Sequence, residues 1–143
     1  MLNRFYVDNI INTALAEDIN YIDVTTDNLL QDDDVSEAYF VAKDSGILCG
    51  IDVAARVFDL AGGNVEKEIL LKDGAPIKKG DYIAFFRGSA KTLLKGERTA
   101  LNLIQHMSGI ATAANECVKL VEGTNAVSYT HLRAHETRSN LVC

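Results

Sequence analysis

The strongest pattern in the chain is carried by residues 96–112, which read Gly96-Glu97-Arg98-Thr99-Ala100-Leu101-Asn102-Leu103-Ile104-Gln105-His106-Met107-Ser108-Gly109-Ile110-Ala111-Thr112. Apolar residues recur there at helical spacing, at Ala100, Leu101, Ile104 and Met107. This spacing predicts a helix with one buried face, which follows Gly96 and ends at Ser108-Gly109. A second helix is predicted over 110–121, with the Ser108 hydroxyl as its cap.

Arg98 is the candidate binding residue of this stretch. It falls in the first turn of the predicted helix, where a positive charge opposes the helix dipole. An anionic ligand is the simplest reason for an arginine there, because the guanidinium fork suits carboxylates and phosphates. The alternative is an exposed ion pair with Glu97 or another acid, which is common and contributes little.

The same stretch resembles the signature of the quinolinate phosphoribosyltransferase family. In that family a Leu-Leu-x-x-Glu-Arg-Thr-Ala-Leu-Asn run leads into Ser-Gly-Ile-Ala-Thr, and residues 93–102 and 108–112 match both parts without a gap. The family's upstream pattern is matched by Ala14-Leu15-Ala16-Glu17-Asp18 and by Asp23-Val24-Thr25-Thr26, with Ile22 in place of the usual glycine. Turn chemistry alone also accounts for the two threonines.

The resemblance implies an α+β fold. The expected organisation is an N-terminal α/β-hammerhead-like domain over 1–94, then the first helices of a truncated, TIM-like α/β barrel over 95–126. The barrel segment that holds substrate in the family, with its Asp-Thr-Arg-Lys-Thr run, does not follow residue 126 in this chain.

The activity implied for the full-length protein is that of a nicotinate-nucleotide pyrophosphorylase. It transfers phosphoribosyl from phosphoribosyl pyrophosphate to quinolinate with decarboxylation, and it yields nicotinate mononucleotide, CO2 and pyrophosphate in NAD biosynthesis. The resemblance also implies a homodimer, Mg2+ for the full-length enzyme, and quinolinate binding by Arg98 across the dimer. No catalytic residue is identifiable in the fragment, so we expect the fragment itself to bind no metal and to be inactive.

Composition and charge argue against several classes of protein. The 143 residues are 48% apolar and carry a formal charge of -6, which argues against non-specific nucleic-acid binding. No apolar run approaches the length of a membrane span. The three cysteines are odd in number and widely spaced, which favours a reduced, cytoplasmic protein over a disulfide framework or a zinc site.

Local signals predict the other elements. Asp8 is the predicted cap of a first helix that ends near Asp18. The predicted buried stripe of this helix is Ile10, Ile11, Ala14 and Leu15. Strands are predicted over 36–43, 47–49, 65–71 and 82–87, and a helix over 52–61 closed by Gly62-Gly63. Asp32-Asp33-Asp34 is predicted to be a solvated loop, since no calcium-loop glycine surrounds it.

Residues 127–143 depart from the resemblance. Ser128 to Glu136 can be encoded by a transposase adapter used in short-read libraries, and 140–143 by the flow-cell end of the same adapter, with an index-length gap between them. We therefore expect this tail to be adapter read-through and not a domain. The alternative is a metal site at His131, His135 and Glu136, since the two histidines are spaced i, i+4.

Two other functions stay open on the sequence. One is a related phosphoribosyltransferase-like protein of the molybdenum-transport type, which the downstream segment would distinguish. The other is a non-catalytic carrier or dimerisation module, because residues 73–81 resemble the turn of lipoyl- and biotin-carrier barrels. Such carriers need a lysine at a hairpin tip in a fixed motif, and Lys91 lacks that motif.

Overall fold

The computed structural model describes residues 3–18 and 34–122. The predicted features at Thr25-Thr26, at Asp32-Asp33 and in the tail with His131, His135 and Glu136 lie outside the described residues. The elements are α1 (Arg4–Asp18), β1 (Val35–Val41), β2 (Gly46–Ile47), α2 (Ile51–Ala61), β3 (Glu66–Ile69), β4 (Pro76–Ile77), β5 (Tyr82–Ser89) and α3 (Ala90–Val121).

The main sheet is antiparallel, in the order β1-β5-β3. Strand β5 is central, and its Ala84 lies opposite Phe40 of β1. Residues alternate between two faces, so Phe40 is buried while its neighbour Tyr39 is 51% exposed. One face of the sheet is therefore covered and the other is open, which is common in antiparallel sheets. The short strands β2 and β4 form a separate pair.

The helices pack on the covered face around three phenylalanines. The ring of Phe58, from α2, lies 4.7 Å from the ring of Phe86 and 6.1 Å from that of Phe40, measured between centroids. Helix α1 adds Ile11 and Leu15 to this core. Helix α3 contributes Leu93, Ala100 and Ile104. The predicted α+β class is confirmed, and so is the antiparallel sheet with packed helices.

The prediction of two helices across the 96–112 stretch was wrong. Helix α3 is continuous from Ala90 to Val121. Strand β5 ends at Ser89 and passes directly into the helix, which therefore begins before Gly96. The helix continues through Ser108 and Gly109, which are both buried. The Ser108 hydroxyl bonds to the backbone of Cys49 and caps no second helix. The division into domains at residues 94 and 95 falls inside this helix, and it stays a prediction.

The start of α1 also differs from the prediction. Asn3 precedes the helix, and its Oδ1 accepts a hydrogen bond from the Phe5 N–H at 3.0 Å, as a cap residue does. Asp8 is instead inside the helix and forms an ion pair with Arg56 of α2. Ile10, which was predicted to be buried, is 45% exposed.

The other predicted elements agree with the structure within a few residues. The predicted closure of α2 by Gly62-Gly63 is confirmed, because Gly63 donates its N–H to the Phe58 carbonyl at 3.2 Å. Gly63 and Gly74 both have positive φ, at 72° and 87°, which explains glycine in these turns.

Candidate functional site

The rotation of α3 is set by close contacts with α2. A Cβ added to Gly96 would lie 2.8 Å from Cδ1 of the buried Phe58 ring. A Cβ added to Gly62 would lie 2.5 Å from the Thr92 Oγ1. Since neither glycine has a side chain, the two helices approach closely, and this turns Thr99 into the core and Arg98 outward.

Arg98 faces the end of α1. Its Nη1 lies 3.5 Å from Oδ1 of Asp18, which is at the long limit of a hydrogen bond. The Arg98 side chain is 77% exposed, whereas that of Asp18 is 25% exposed. The aspartate is therefore largely covered while most of the guanidinium faces solvent. Such a loose pair leaves donor groups that can bind another anion.

Two clefts meet at Arg98. One, of about 450 Å³, is lined by Ala14, Glu17, Asp18, Arg98, Thr99, Asn102 and Leu103. The other, of about 360 Å³, is lined by Leu94, Glu97, Arg98, Leu101, Asn102 and Gln105. Helices α1 and α3 together line the first cleft, α3 alone lines the second, and Arg98 lines both.

The fold brings together two separate runs of the sequence. The Ala14-Leu15-Ala16-Glu17-Asp18 run ends at the same cleft as Arg98, 80 positions further along the chain. The sequence marked both runs as matches to one family, but their distance along the chain gave no sign that Asp18 and Arg98 would be neighbours. The sequence analysis therefore did not predict that Glu17 and Asp18 would line this cleft.

Metal binding finds no support in the described part of the chain. Within residues 3–18 and 34–122, no group of three or more His, Cys, Asp or Glu side chains could hold an ion. The described residues therefore offer no such cluster of ligands for the Mg2+ that the resemblance implies for the full-length enzyme. Among the same residues, no helix has the length and apolar character of a membrane span.

Lys91 does not occupy a carrier position. It lies in the first turn of α3, immediately after the strand-to-helix junction, and not at the tip of a hairpin. Residues 73–81 are not a single turn, because they include β4. In the turn after β4, the Asp81 side chain accepts from the Lys78 N–H at 2.8 Å. This geometry argues against the carrier hypothesis.

The fold and the site together define a class: an α+β domain that carries an exposed arginine beside a shallow cleft. Comparison with known sequences identifies the particular family. The profile described as the quinolinate phosphoribosyl transferase N-terminal domain matches residues 23–108. The chain belongs to the quinolinate phosphoribosyltransferase family.

Individual relatives agree with this assignment. A Bacillus subtilis protein named Probable nicotinate-nucleotide pyrophosphorylase [carboxylating] is 37% identical over 121 residues, which cover 85% of this chain and 42% of that protein. The nicotinate-nucleotide pyrophosphorylase [carboxylating] of Mycobacterium leprae is 38% identical over 119 residues, 81% of this chain and 42% of that protein. The chain thus spans less than half the length of these relatives.

The fold is shared with solved structures. The crystal structure of NadC from Streptococcus pyogenes superposes with a TM-score of 0.81 at 33% sequence identity. The superposition covers 85% of this chain and 43% of the NadC chain. The described helices and sheets therefore correspond to one part of a longer family member.

Proposed function

We propose that the complete protein, of which this chain is the N-terminal part, transfers phosphoribosyl from phosphoribosyl pyrophosphate to quinolinate. Pyrophosphate leaves in this transfer, and decarboxylation of the resulting nucleotide then gives nicotinate mononucleotide and CO2. The observation that carries this proposal is the meeting of two matched family runs at Arg98. The names of the B. subtilis and M. leprae relatives support the same activity.

Arg98 binds quinolinate in this proposal. Quinolinate carries two carboxylates, and a guanidinium can bind a carboxylate through two parallel N–H donors. An arginine that is 77% exposed cannot bury a small ligand by itself, so the opposite wall must come from elsewhere. A second subunit of a homodimer supplies that wall, and Arg98 acts across the interface.

The contribution of Arg98 is binding and orientation. A fixed cation beside the two carboxylates holds the ring so that its nitrogen can face the ribose carbon, which lowers the entropic cost of the transfer. The groups that stabilise the leaving pyrophosphate belong to the remainder of the complete protein. We propose that this protein acts in the cytoplasm, with small-molecule substrates and without nucleic-acid or membrane partners.

The test uses the complete reading frame, expressed and assayed with quinolinate and phosphoribosyl pyrophosphate. Arg98→Ala should lower kcat/KM for quinolinate by roughly 10- to 100-fold, the usual effect of losing charge-assisted hydrogen bonds. Arg98→Lys should recover only part of the loss, because an ammonium lacks the fork. Arg87→Ala is the matched control, since Arg87 is also exposed and its Nε lies 4.0 Å from Glu37 on the sheet.

Two outcomes would contradict the proposal. If the complete wild-type protein shows no quinolinate-dependent release of pyrophosphate, the activity is wrong. If the wild-type protein is active but Arg98→Ala and Arg87→Ala behave alike, the activity stands and the role of Arg98 is wrong.

A further inference from the structure

Two hydroxyls of α3 bond directly to the backbone beside β2. Thr112 Oγ1 accepts from the Ile47 N–H at 2.9 Å, and it donates to the Ser108 carbonyl at 2.7 Å. Ser108 Oγ accepts from the Cys49 N–H at 3.0 Å and donates to the Cys49 carbonyl at 3.2 Å. Both hydroxyls are therefore used as donor and as acceptor.

The spacing of helix and strand makes this double contact possible. Four residues along a helix rise about 6.0 Å, and two residues along a strand rise about 6.6 Å. Residues 108 and 112 can therefore face residues 49 and 47 in antiparallel order. On the opposite edge, the Leu48 N–H bonds to the Ala75 carbonyl at 2.9 Å. Helix α3 thus takes the place that a neighbouring strand would fill.

The contact is partly buried, and its bonds are directional. Ser108 is fully buried, whereas Thr112, Ile47 and Cys49 are half-buried. Next to this contact, Gly50 has φ +93°, and a Cβ there would lie 2.6 Å from Met107 Sδ. A buried N–H that loses its acceptor without access to water costs more free energy than the bond itself contributes. Sliding of α3 along its axis would break both bonds together.

The upstream contacts of α3 are of a different kind. Gly96 against Phe58 and Gly62 against Thr92 set how close the helices lie. These close contacts also set the rotation of α3. The hydroxyl bonds at 108 and 112 add a directional constraint on its axial position.

We propose that Ser108 and Thr112 are positioning residues for Arg98. They fix the axial register of α3, and the same continuous helix carries Arg98 roughly 15 Å from Ser108 and roughly 21 Å from Thr112. This inference rests on the proposed function, in which Arg98 must meet a ligand held by a second subunit. A misplacement of about 1 Å at such a site is enough to lower kcat/KM strongly, here through weaker binding of quinolinate by Arg98.

The decisive variant is Thr112→Val in the complete protein, because valine keeps the shape and removes only the hydroxyl. It should raise the KM for quinolinate roughly tenfold, with kcat and the KM for phosphoribosyl pyrophosphate changed less than about twofold. Thr112→Ser keeps the hydroxyl and should restore the wild-type KM. Thr13→Val is the matched control, since the Thr13 hydroxyl donates to the Asn9 carbonyl at 2.9 Å within α1 and is exposed.

A purely structural role would give a different result. If Thr112→Val leaves the quinolinate KM at the value of Thr13→Val, the proposal is overturned. It is also overturned if both KM values and kcat change together with the melting temperature, or if Thr112→Ser fails to restore the KM.

A second measurement does not depend on activity. Spin labels at Arg98→Cys and Lys43→Cys, in a background whose other cysteines are alanine, report the distance from α3 to the segment before β2. Thr112→Val should shift or broaden this distance, and Thr112→Ser should not. An unchanged distance overturns the positioning role. If the wild-type protein is inactive but the distance shifts as expected, only the proposed transferase function fails.

Discussion

At the scale of single residues, Asp8 of α1 and Arg56 of α2 form an ion pair that connects the two helices. Arg56 Nε donates to Asp8 Oδ1 at 2.9 Å, and Nη2 donates to Oδ2 at 2.8 Å. The side chains are 23% and 25% exposed, so the bidentate pair is partly shielded from solvent. The hydrogen bonds from Arg56 lower the pKa of Asp8, against a smaller opposing effect of desolvation.

The lowered pKa predicts a pH dependence of stability. An aspartate whose folded pKa is below its unfolded value of about 3.9 stabilises the fold above that pH, and the contribution is lost as pH falls through the folded pKa. The melting temperature of the wild-type chain should therefore fall more steeply than that of Asp8→Asn between about pH 5 and pH 2, and the two curves should converge in acid.

Glu37→Gln provides the control for this prediction. Glu37 pairs with Arg87 at 4.0 Å, and both side chains are at least half exposed, so this substitution should change the pH dependence little. Parallel melting curves for wild-type and Asp8→Asn would show that the pair contributes nothing in solution.

At the scale of elements, the approach of α2 to α3 depends on Gly96. Alanine at a helix interior usually stabilises by up to about 1 kcal/mol relative to glycine. Here its Cβ would lie 2.8 Å from the ring of Phe58, which packs against Phe40 and Phe86 in the core. Overpacking of a core costs about 1–3 kcal/mol. Gly96→Ala should therefore lower the free energy of unfolding by about 1 kcal/mol, measured by urea denaturation.

A second background makes this test specific. In Phe58→Leu the ring atoms nearest to Gly96 are gone, so Gly96→Ala should then be neutral or stabilising. If Gly96→Ala destabilises equally in both backgrounds, the cost comes from something other than the contact with the ring.

The elements differ in how much the sequence could predict of them. Strands β1, β2, β3 and β5 and helix α2 follow local alternation, helical spacing and turn glycines, so their existence and type were predictable. The two-residue strand β4 was not predicted. The continuity of α3 was not, because Ser108-Gly109 is a local signal for a helix end. Its true role depends on the backbone of Cys49, which is 59 positions away in the chain. The misassigned cap at Asp8 has the same cause, since its partner Arg56 lies in another helix.

At the scale of the whole molecule, the candidate site was predictable only in part. Arg98 was marked by its motif. The predicted place in a first helical turn was wrong, because α3 begins at Ala90 and Arg98 is its ninth residue. Glu17 and Asp18 lie beside Arg98 because α1 packs against α3, and this packing could not be predicted from local sequence patterns. The site is also open: the described residues supply one wall, and the relatives extend well beyond the length of this chain. Local patterns cannot reveal a wall that lies outside the domain.

The incomplete site leads to a prediction about sharing between subunits. The chain over residues 1–126 carries Arg98 but lacks most of the length of its relatives, so it should show no transferase turnover alone. A complete protein with Arg98→Ala has the remainder but lacks the arginine. If Arg98 acts across a dimer, co-expression of the two should give mixed dimers with one functional site, and activity should rise well above that of either partner alone.

The control in this experiment is the same short chain carrying Arg98→Ala. It has the same fold and the same means of association, so any rescue by dimer stabilisation alone would appear there too. Rescue by the short wild-type chain and not by its Arg98→Ala form requires that the arginine and the rest of the site come from different subunits. Equal activity with both short chains would mean that Arg98 serves its own subunit or none. Turnover by the short chain alone would show that the fragment contains a complete site, contrary to the exposure of Arg98 and the open clefts beside it.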